Sequence, residues 1–491
     1  MTPEPRSSAR DPGGLVFDGQ RVVVVGLGIT GQSAISLLAG RGAKVTAVDS
    51  RDDGERQDLA ERLAKEGVQV HLGPAGLGPE ASLPPGTALV VTSPGLRPDT
   101  PLLAHAVAEG VEVIGDVELA WRLRPELAGG GSQQWLAVTG TNGKTTTVRM
   151  LAAMLATAGH RSAAAGNVGI PVLDVVTDPH PYAVVAVELS SFQLYWSTTI
   201  TPLAAVVLNV AAHHLDWHDD IQAYAAAKAR IFAPGTIAVC NADDPRTVAM
   251  ADAAVSGAAA GRKVAFRLGP PAPGELGVAD GWLTDRAFGG DPGGVRLVQA
   301  AAIRPAAPHN IADALAAAAL ARAYGDDPGS IAAGLAAFVP EPHRISQVAE
   351  LDGVAFVDDS KASNPAAAAA SLASFPSIVW IAGGLFRGSD ADLDAIVTAA
   401  APRLRAVVLL GTDAARFSGA LARHASDVPV TELSGTDTGV MDQVVALAAA
   451  AARSGDTVLL APAAQSWDMF RDYSERGEAF AAAVRRLAEA R

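Results

Sequence analysis

The sequence predicts an α/β protein of three domains, each built on a mainly parallel sheet. Its 491 residues allow about three domains of roughly 100–200 residues. Short β-branched runs alternate with alanine-rich stretches along the chain, a pattern typical of strand–helix–strand units. The glycine-rich linker 128–132 ends the first block, and the second closes near Pro340. The predicted domains are therefore 1–131, 132–340 and 341–491.

Apolar, β-branched runs predict the strands of all three blocks. In chain order they are Arg21–Val25, Lys44–Val48, Leu89–Thr92, Trp135–Val138, Ala183–Val187, Ala204–Leu208, Ala355–Val357, Ile378–Ile381, Val407–Leu410 and Thr457–Leu460. Helices are predicted over Thr30–Ala39, from the loop Thr139–Thr146 to about Leu155, and over Ile221–Phe232. Residues Gly269–Gly294, rich in Gly, Pro and Asp, are expected to form loops or an inserted hairpin.

Composition argues against several classes of protein. The formal net charge of −14 disfavours a protein that mainly binds nucleic acid. The most apolar long stretch, Ile311–Tyr324, contains Asp313 and Arg322 and is shorter than the ~20 residues of a membrane span. The single cysteine, Cys240, permits no intrachain disulfide, and we expect it to be buried. The leader Met1–Gly14 lacks the apolar core of a signal peptide, so we expect it to be disordered. The low cysteine content is typical of a cytoplasmic protein, and we expect a monomer.

A glycine-rich loop, Thr139–Thr146, lies between a predicted strand and a predicted helix and is called the phosphate loop below. Backbone N–H groups of such a loop cradle phosphates at a helix N-terminus. Lys144 is placed to hold the β- and γ-phosphates, and Thr145 to bind Mg²⁺. Val138 occupies a position where the full motif has glycine, so an ordinary glycine turn is the alternative; the Gly-Lys-Thr-Thr run favours nucleotide binding. The predicted loop contacts to ATP are Gly140, Thr141, Asn142, Gly143, Lys144, Thr145 and Thr146.

A second glycine-rich segment, Gly26–Gly31, follows the first strand, and Asp49 ends the next strand. This arrangement is typical of dinucleotide-binding loops. The pattern alone is weakly specific, because the same loop can hold any diphosphate. Two phosphate loops in one chain indicate two phosphorylated ligands, one in each domain.

Polar residues follow two buried strands of the central block. Glu188 ends the strand Ala183–Val187, where it is interpreted either as a Mg²⁺ ligand or as a surface turn residue. His213 and His214 follow the next strand, and one of them could bind metal or phosphate.

Two lysine-containing segments have alternative interpretations. Lys228 lies within a predicted helix, and its chemistry alone indicates a solvated side chain. The segment Asp358–Asn364 follows a strand and predicts either an anion site or N-capping by Ser360 or Ser363.

Taken in order, these segments resemble the Mur ligase family across essentially the whole chain, and among its members those that add D-glutamate. The run Glu-Leu-Ser-Ser-Phe-Gln-Leu is the most specific part of the resemblance. The matching segments are Gly26–Gly31, Ser93–Gly95, Thr139–Thr146, Gly166–Gly169, Glu188–Leu194, Asn209–Asp216, the Lys228 helix, His309-Asn310, Pro342–Arg344, Asp359–Asn364 and Ala461–Phe470.

The resemblance implies a Rossmann-like N-terminal domain for UDP-N-acetylmuramoyl-L-alanine and a central P-loop ATPase-like domain for ATP. It also implies a Rossmann-like C-terminal domain for D-glutamate. The implied reaction is ATP-dependent amide formation through an acyl phosphate, with two Mg²⁺ ions and with Lys228 carbamylated.

Roles for individual residues also come from the resemblance. Beyond the phosphate loop, the implied ATP contacts are Asn310, His343, Arg344 and Asp359. The implied contacts to the UDP substrate are Ile29, Thr30, Asp49, Arg51, Ser93, Gly95, Asn167 and His214. D-Glutamate is assigned to Ser363, Arg387, Ser466 and Tyr473. The catalytic set is Lys144, Glu188, His214, Lys228 and Lys361, and the metal ligands are Thr145, Glu188, His214 and the Lys228 carbamate.

Three positions depart from the family pattern. His213 replaces a common Asp, Asp313 a common Asn, and Arg387 a common Lys. The alternatives are another amide ligase of this superfamily, a muramoyl ligase of different specificity or a folylpolyglutamate synthase. From other classes they are an NAD-dependent oxidoreductase fused to a P-loop module and a non-catalytic nucleotide-binding regulator.

Overall fold

A computed structural model describes residues 17–167, 169–256, 261–289, 291–305, 307–340, 342–433 and 439–490. The predicted disordered leader Met1–Gly14 lies outside these residues, as do Val168 and the side chain of Asp216 in two of the matching segments. The chain forms two compact units. The first comprises Met1–Ala302 with Ile311–Phe338, and the second comprises Ile303–Asn310 with Val339–Arg491.

The first unit begins with a five-stranded parallel sheet in the order β3-β2-β1-β4-β5. Its strands are β1 (Arg21–Val25), β2 (Lys44–Asp49), β3 (Gln69–Leu72), β4 (Thr87–Thr92) and β5 (Glu112–Gly115). The helices are α1 (Ile29–Gly40), α2 (Gly54–Lys65), α3 (Pro101–Ala108) and α4 (Asp116–Arg122). The strand order reverses between β1 and β4, and such a switch point opens a ligand crevice at the carboxyl ends of the strands.

The same unit contains a nine-stranded sheet in the order β14-β13-β12-β11-β10-β9-β6-β8-β7. The strands are β6 (Gln134–Thr139), β7 (Ser162–Gly166), β8 (Val184–Glu188), β9 (Ala204–Val207), β10 (Ile237–Asn241), β11 (Lys263–Phe266), β12 (Glu275–Ala279), β13 (Trp282–Asp285) and β14 (Val295–Gln299). The helices are α5 (Lys144–Thr157), α6 (Val172–Val176), α7 (Ser191–Tyr195), α8 (Leu215–His218), α9 (Ile221–Ala229), α10 (Pro245–Val255), α11 (Pro308–Tyr324) and α12 (Pro328–Ala337). The first residues of α11, up to Asn310, group with the second unit.

The centre of this sheet is parallel and fully buried, as its apolar strands require. Antiparallel β12 and β13 form the hairpin expected within Gly269–Gly294, although Gly290 lies outside the described residues. Cys240 on β10 is buried, as predicted.

The second unit contains a six-stranded sheet in the order β15-β16-β20-β17-β18-β19, with only β15 antiparallel to its neighbour. The strands are β15 (Ser346–Leu351), β16 (Val354–Asp358), β17 (Ile378–Gly383), β18 (Leu404–Leu410), β19 (Val430–Glu432) and β20 (Thr457–Leu460). The helices are α13 (Pro365–Leu372), α14 (Asp390–Ala400), α15 (Ala414–His424), α16 (Val440–Ala451) and α17 (Tyr473–Glu489).

The predicted mixed α/β class with mainly parallel sheets is confirmed, and a strand covers each of the ten predicted strand positions. Each sheet falls within one predicted block, while the boundaries at 131 and 340 stay predictions. The segment Ile303–Asn310, assigned by sequence to the central block, groups with the second unit. None of the helices in the described part of the chain combines the length and the hydropathy of a transmembrane segment.

A buried carboxylate joins the two sheets of the first unit. Glu118 on α4 accepts hydrogen bonds from the backbone N–H groups of Thr198 and Thr199, at 2.9 and 3.0 Å. It also accepts from the Thr199 hydroxyl at 2.6 Å and pairs with Arg122 at 2.8 Å. Burial raises the pKa of Glu118, but these hydrogen bonds outweigh burial and hold the pKa below its ordinary value.

Replacing this carboxylate should destabilise the first unit. Glu118→Ala leaves the buried donors of Thr198 and Thr199 without their acceptor and leaves Arg122 with only its exposed partner Glu112. We therefore expect a loss of about 3–5 kcal/mol in the free energy of unfolding. Urea unfolding followed by tryptophan fluorescence measures the loss. Because the folded pKa of Glu118 is lowered, the stabilisation should be present above its ordinary pKa and disappear as pH falls through the folded pKa.

The matched control is Glu112→Ala, which removes the exposed partner of the same Arg122. It should cost less than about 1 kcal/mol. Equal losses for the two variants would show that Glu118 does not join the sheets.

Candidate functional site

The glycine-rich segment Gly26–Gly31 lies at the switch point of the five-stranded sheet. Gly26 has a φ of +97°, and a Cβ at Gly31 would lie 1.9 Å from the Gly26 carbonyl oxygen, so the turn requires glycine at both positions. Asp49 is buried beside this loop. Its carboxylate accepts the Leu27 N–H at 2.7 Å and the Arg51 N–H at 2.9 Å. Asp49 therefore fixes the shape of the loop.

The structure brings Ile29, Thr30, Asp49 and Ser93 to one edge of this sheet. Ile29 is 74% exposed. The Ser93 side chain lies against Gly26, where a Cβ would approach its Oγ to 2.2 Å. These residues therefore lie at the carboxyl ends of the strands, where a diphosphate is expected to bind.

Three other residues predicted to bind the UDP substrate have protein partners. The Arg51 guanidinium bonds to Asp53 at 2.7 Å and pairs with Glu55 at 3.2 Å. The Gly95 carbonyl accepts the Trp217 indole N–H at 3.0 Å, which ties the first sheet to the central block. Asn167 lies away from the first sheet and donates its amide to Glu188 at 3.1 Å.

The phosphate loop connects the end of β6 at Thr139 to the first turn of α5, which begins at Lys144. The ammonium of Lys144 donates to the Thr141 carbonyl at 3.0 Å. The Thr145 hydroxyl donates to Glu188 at 2.9 Å. Asp313 is buried next to the loop, since a Cβ at Gly143 would lie 2.3 Å from its Oδ1. The Asp313 departure thus falls at the phosphate loop.

Asn209 bonds to the phosphate loop, and the sequence analysis did not assign this residue to the site. Its side-chain oxygen accepts the N–H groups of Thr141 and Asn142 at 3.1 and 2.9 Å. Its amide donates to the Asn142 carbonyl at 3.1 Å, which closes the contact. Its place immediately after β9, level with the phosphate loop, was the signal that could have identified it.

Glu188 ends β8 and is 1% exposed, so its interpretation as a surface turn residue is wrong. Together with the Thr145 hydroxyl it presents oxygen atoms of the type that Mg²⁺ prefers. Among the described residues, no group of three or more His, Cys, Asp or Glu side chains is gathered for a metal ion. This sparse set fits Mg²⁺, which usually binds one or two carboxylates together with substrate phosphates and water.

Lys228 is buried, so its interpretation as a solvated side chain is wrong. It is 1% exposed because α9 packs this side chain against the phosphate loop. Its Nζ donates to the Gly140 carbonyl at 2.8 Å and lies 3.4 Å from the Thr139 hydroxyl. Burial, and next the Lys144 charge, lower the pKa of Lys228 well below its ordinary value, although Glu188 opposes the shift.

His214 lies on the segment that follows β9. It is exposed, with a φ of +55°, at the N-cap of the short helix α8. Its ring centroid lies 3.8 Å from that of His213 and 4.8 Å from that of Phe192. The two histidine rings are therefore adjacent.

In the second unit, the predicted residues gather where β16, β17 and β20 end. The ammonium of Lys361 lies 3.6 Å from the centre of the Tyr473 ring, a cation–π contact. Ser363 is half-buried on the same loop as Lys361, and Ser466 is buried on the loop after β20. Arg387 is exposed on the loop after β17.

The N-cap of α13 is Asn364, so the alternative of capping by Ser360 or Ser363 is wrong. Ser360 instead donates to the Tyr473 carbonyl.

The predicted ATP residues of the second unit include two buried or paired titratable groups. Burial raises the pKa of Asp359 to about 6. His343 Nδ1 lies 2.6 Å from Asp358, and this hydrogen bond raises the pKa of His343. Asn310 is buried, with its amide on the Pro305 carbonyl, and Arg344 is half-buried.

Three family models match the chain in order. They are the Mur ligase MurD-like N-terminal domain over residues 20–115, the Mur ligase middle domain over 138–266, and the Mur ligase glutamate ligase domain over 343–464. The chain belongs to the Mur ligase family. The match places Gly26–Gly31 in the N-terminal domain of a Mur ligase, so its interpretation as part of an NAD-dependent oxidoreductase has no support.

Two relatives of this Mur ligase carry the name UDP-N-acetylmuramoylalanine--D-glutamate ligase. The protein of Thermobifida fusca is 54% identical over 96% of this chain and 99% of its own length. That of Streptomyces coelicolor is 52% identical over the same shares. A pseudomurein peptide ligase type C from Methanothermus fervidus has the same fold, with a TM-score of 0.58 and 18% identity over 96% of this chain and 100% of its own.

Asn209 provides a test of the phosphate loop. Asn209→Ala removes the acceptor of two loop N–H groups and should weaken ATP binding by about 1–2 kcal/mol, roughly 5- to 30-fold. Isothermal titration measures the affinity. Asn241→Ala is the matched control, because Asn241 bonds to the Leu208 carbonyl and not to the loop. Unchanged ATP affinity in Asn209→Ala would remove Asn209 from the site.

Proposed function

We propose that this Mur ligase uses ATP to join D-glutamate to UDP-N-acetylmuramoyl-L-alanine in the synthesis of the peptidoglycan precursor. The relatives that share about half of its residues over nearly the full chain carry this proposal. The juxtaposition of the phosphate loop with Glu188 supplies its chemistry. The reaction is assigned to the cytoplasm, where ATP is available, and to a monomer.

The substrate carboxylate attacks the γ-phosphorus of ATP, which forms an acyl phosphate and releases ADP. The D-glutamate amine then attacks the acyl carbon; phosphate leaves, and the amine loses a proton. Two anions must approach in the first step, so cations and N–H dipoles must offset their repulsion. Lys144 and the backbone N–H groups of residues 140–146 are assigned to the phosphates of ATP.

Mg²⁺ ions are assigned to the side chains of four residues in the central block. Thr145 and Glu188 would hold one ion, and Glu188, His214 and a carbamate on Lys228 would hold a second. Bound there, Mg²⁺ supplies charge neutralisation for the phosphates. Asn167 donates to Glu188 and so orients its carboxylate.

The environment of Lys228 supports its carbamylation. Only a neutral amine attacks CO₂; the N–C bond forms and the nitrogen loses a proton. Burial and the Lys144 charge lower the pKa of Lys228, which favours the neutral amine. The resulting carbamate would place a negative charge beside the phosphate loop, where a cation can bind it.

Contacts to ATP and to the amino acid are assigned to residues of the second unit. ATP contacts are assigned to Asn310, His343, Arg344 and Asp359. Lys361 is assigned to the acyl phosphate. D-Glutamate is assigned to Ser363, Arg387, Ser466 and Tyr473, and the fork of the Arg387 guanidinium can bind a carboxylate through two hydrogen bonds.

The decisive experiment measures phosphate release from ATP with Mg²⁺ and UDP-N-acetylmuramoyl-L-alanine. We expect release that depends on D-glutamate, with the amide product identified by mass. L-Glutamate and other amino acids are the controls. Release with a different amino acid would support a Mur-type ligase of other specificity. This outcome is tested because Arg387, which is exposed, replaces a common lysine. No release with any amino acid would overturn the proposal.

Lys228→Ala tests the carbamate. Removing a charge that supports a cation at the reacting phosphates should lower kcat by about 100-fold or more. Formate or acetate should restore part of the activity by replacing the carboxylate. Labelling with ¹³C-bicarbonate should give a carbamate signal in the wild type and none in the variant.

The control is Lys263→Ala, which removes a lysine paired with Asp252 outside the phosphate loop and should leave kcat unchanged. Full activity of Lys228→Ala would contradict the assignment.

A further inference from the structure

Arg476 is a buried cation of the second unit to which no role has been assigned above. It lies on the first turns of α17 and is 1% exposed, which makes it one of the largest fully buried side chains. Among the described residues, its hydrogen-bond acceptors are one hydroxyl and two backbone carbonyls, and none is a carboxylate. Burial lowers the pKa of Arg476 to about 10, so it stays protonated at neutral pH.

The guanidinium connects two loops at the carboxyl edge of the sheet. Nε donates to the Ser360 hydroxyl at 3.0 Å, and Nη2 donates to the Ser360 carbonyl at 2.9 Å. Nη1 donates to the Ala464 carbonyl at 3.1 Å. Ser360 follows β16 and Ala464 follows β20, so one side chain spans the ends of two adjacent strands.

A third loop lies against the same side chain. A Cβ at Gly384, which follows β17, would lie 3.4 Å from Nη1 of Arg476. Leu385 and Gln465 exchange backbone hydrogen bonds at 2.9 and 3.0 Å, which joins the β17 loop to the β20 loop. The Ala463 N–H donates to the Ala362 carbonyl at 2.9 Å, which joins the β20 loop to the β16 loop. The three loops therefore form one connected set with Arg476 behind it.

Residues assigned to the reaction lie close to these contacts in the chain. Lys361 follows Ser360 directly, Ser466 lies two positions after Ala464, and Arg387 lies two positions after Leu385. A shift of any of the three loops would therefore move a side chain that is assigned to the reaction.

The charges of Asp468 and Asp358 oppose the effect of burial on Arg476, but neither carboxylate accepts one of its hydrogen bonds. Burying the guanidinium costs free energy of desolvation, and its three hydrogen bonds have fixed directions. Lysine could carry the charge but not reproduce this planar fork. We propose that Arg476 is a positioning residue that holds Lys361 and Ser466 at the spacing that D-glutamate and the acyl phosphate require. This inference rests on the function proposed above.

The test compares Arg476→Lys and Arg476→Met with Arg486→Met. Arg486 lies on the same helix but is 57% exposed and pairs with Asp442, so it is the matched control. Steady-state phosphate release gives kcat and the KM of each substrate. Displacement of the reacting groups should lower kcat/KM for D-glutamate by about 100-fold in Arg476→Met, because misplacement by about 1 Å can have that effect.

The KM for UDP-N-acetylmuramoyl-L-alanine separates positioning from general damage. It should stay near the wild-type value in both Arg476 variants, because that substrate is assigned mainly to the first unit. Arg476→Lys should fold, keep the charge and still show a raised KM for D-glutamate. If Arg476→Met does not fold, the Lys variant decides the question.

Two results would overturn the role of Arg476. One is wild-type kinetics in Arg476→Lys, and the other is an equal loss for all substrates that follows the fraction of folded protein. Failure of the proposed function has a separate signature, because the wild-type enzyme itself would then release no phosphate in response to D-glutamate. If another amino acid supports release, its KM takes the place of that of D-glutamate in the same comparison.

Discussion

The parallel pairing of β6 with β8 and β9 is the constraint on which the phosphate chemistry depends. Parallel strands bring their carboxyl ends to one edge of a sheet, and here Val138 is in register with Glu188 and Thr139 with Val207. The same edge of the sheet therefore carries the phosphate loop, the Glu188 carboxylate and Asn209. Because both faces of all three strands are buried, a slip in register would disrupt the packing on each face, so the arrangement of the site is tied to the core.

Buried ionisable side chains occur in both units. Glu118, Glu188, Lys228 and Arg476 are each almost fully excluded from solvent, and each is held by directional hydrogen bonds. An unpaired charge in such surroundings would be very unfavourable. Their positions are consequently fixed, and fixed dipoles and charges are what a phosphoryl-transfer site requires, since it has to stabilise charge without reorganising.

Local patterns predicted the strands with long apolar runs and missed several others for identifiable reasons. β3 and β5 are short strands at the edges of the first sheet, and their partly exposed residues show no strong apolar run. β7, with the sequence Ser-Ala-Ala-Ala-Gly, contains no β-branched residue. These strands exist because a neighbouring strand supplies hydrogen bonds, so tertiary pairing outweighs their own propensity.

By itself, the sequence determined the mixed α/β class, the phosphate loop, the strand-end position of Glu188 and the resemblance to the Mur ligases. All of these depend on residue types at short spacings. Only the tertiary structure decided that Lys228 is buried, that Asn209 shapes the phosphate loop and that Arg476 connects the loops of the second unit. The contact between Lys228 and Gly140 spans 88 positions, and that between Arg476 and Ser360 spans 116. Burial and the resulting electrostatics depend on such distant contacts, which local sequence patterns do not encode.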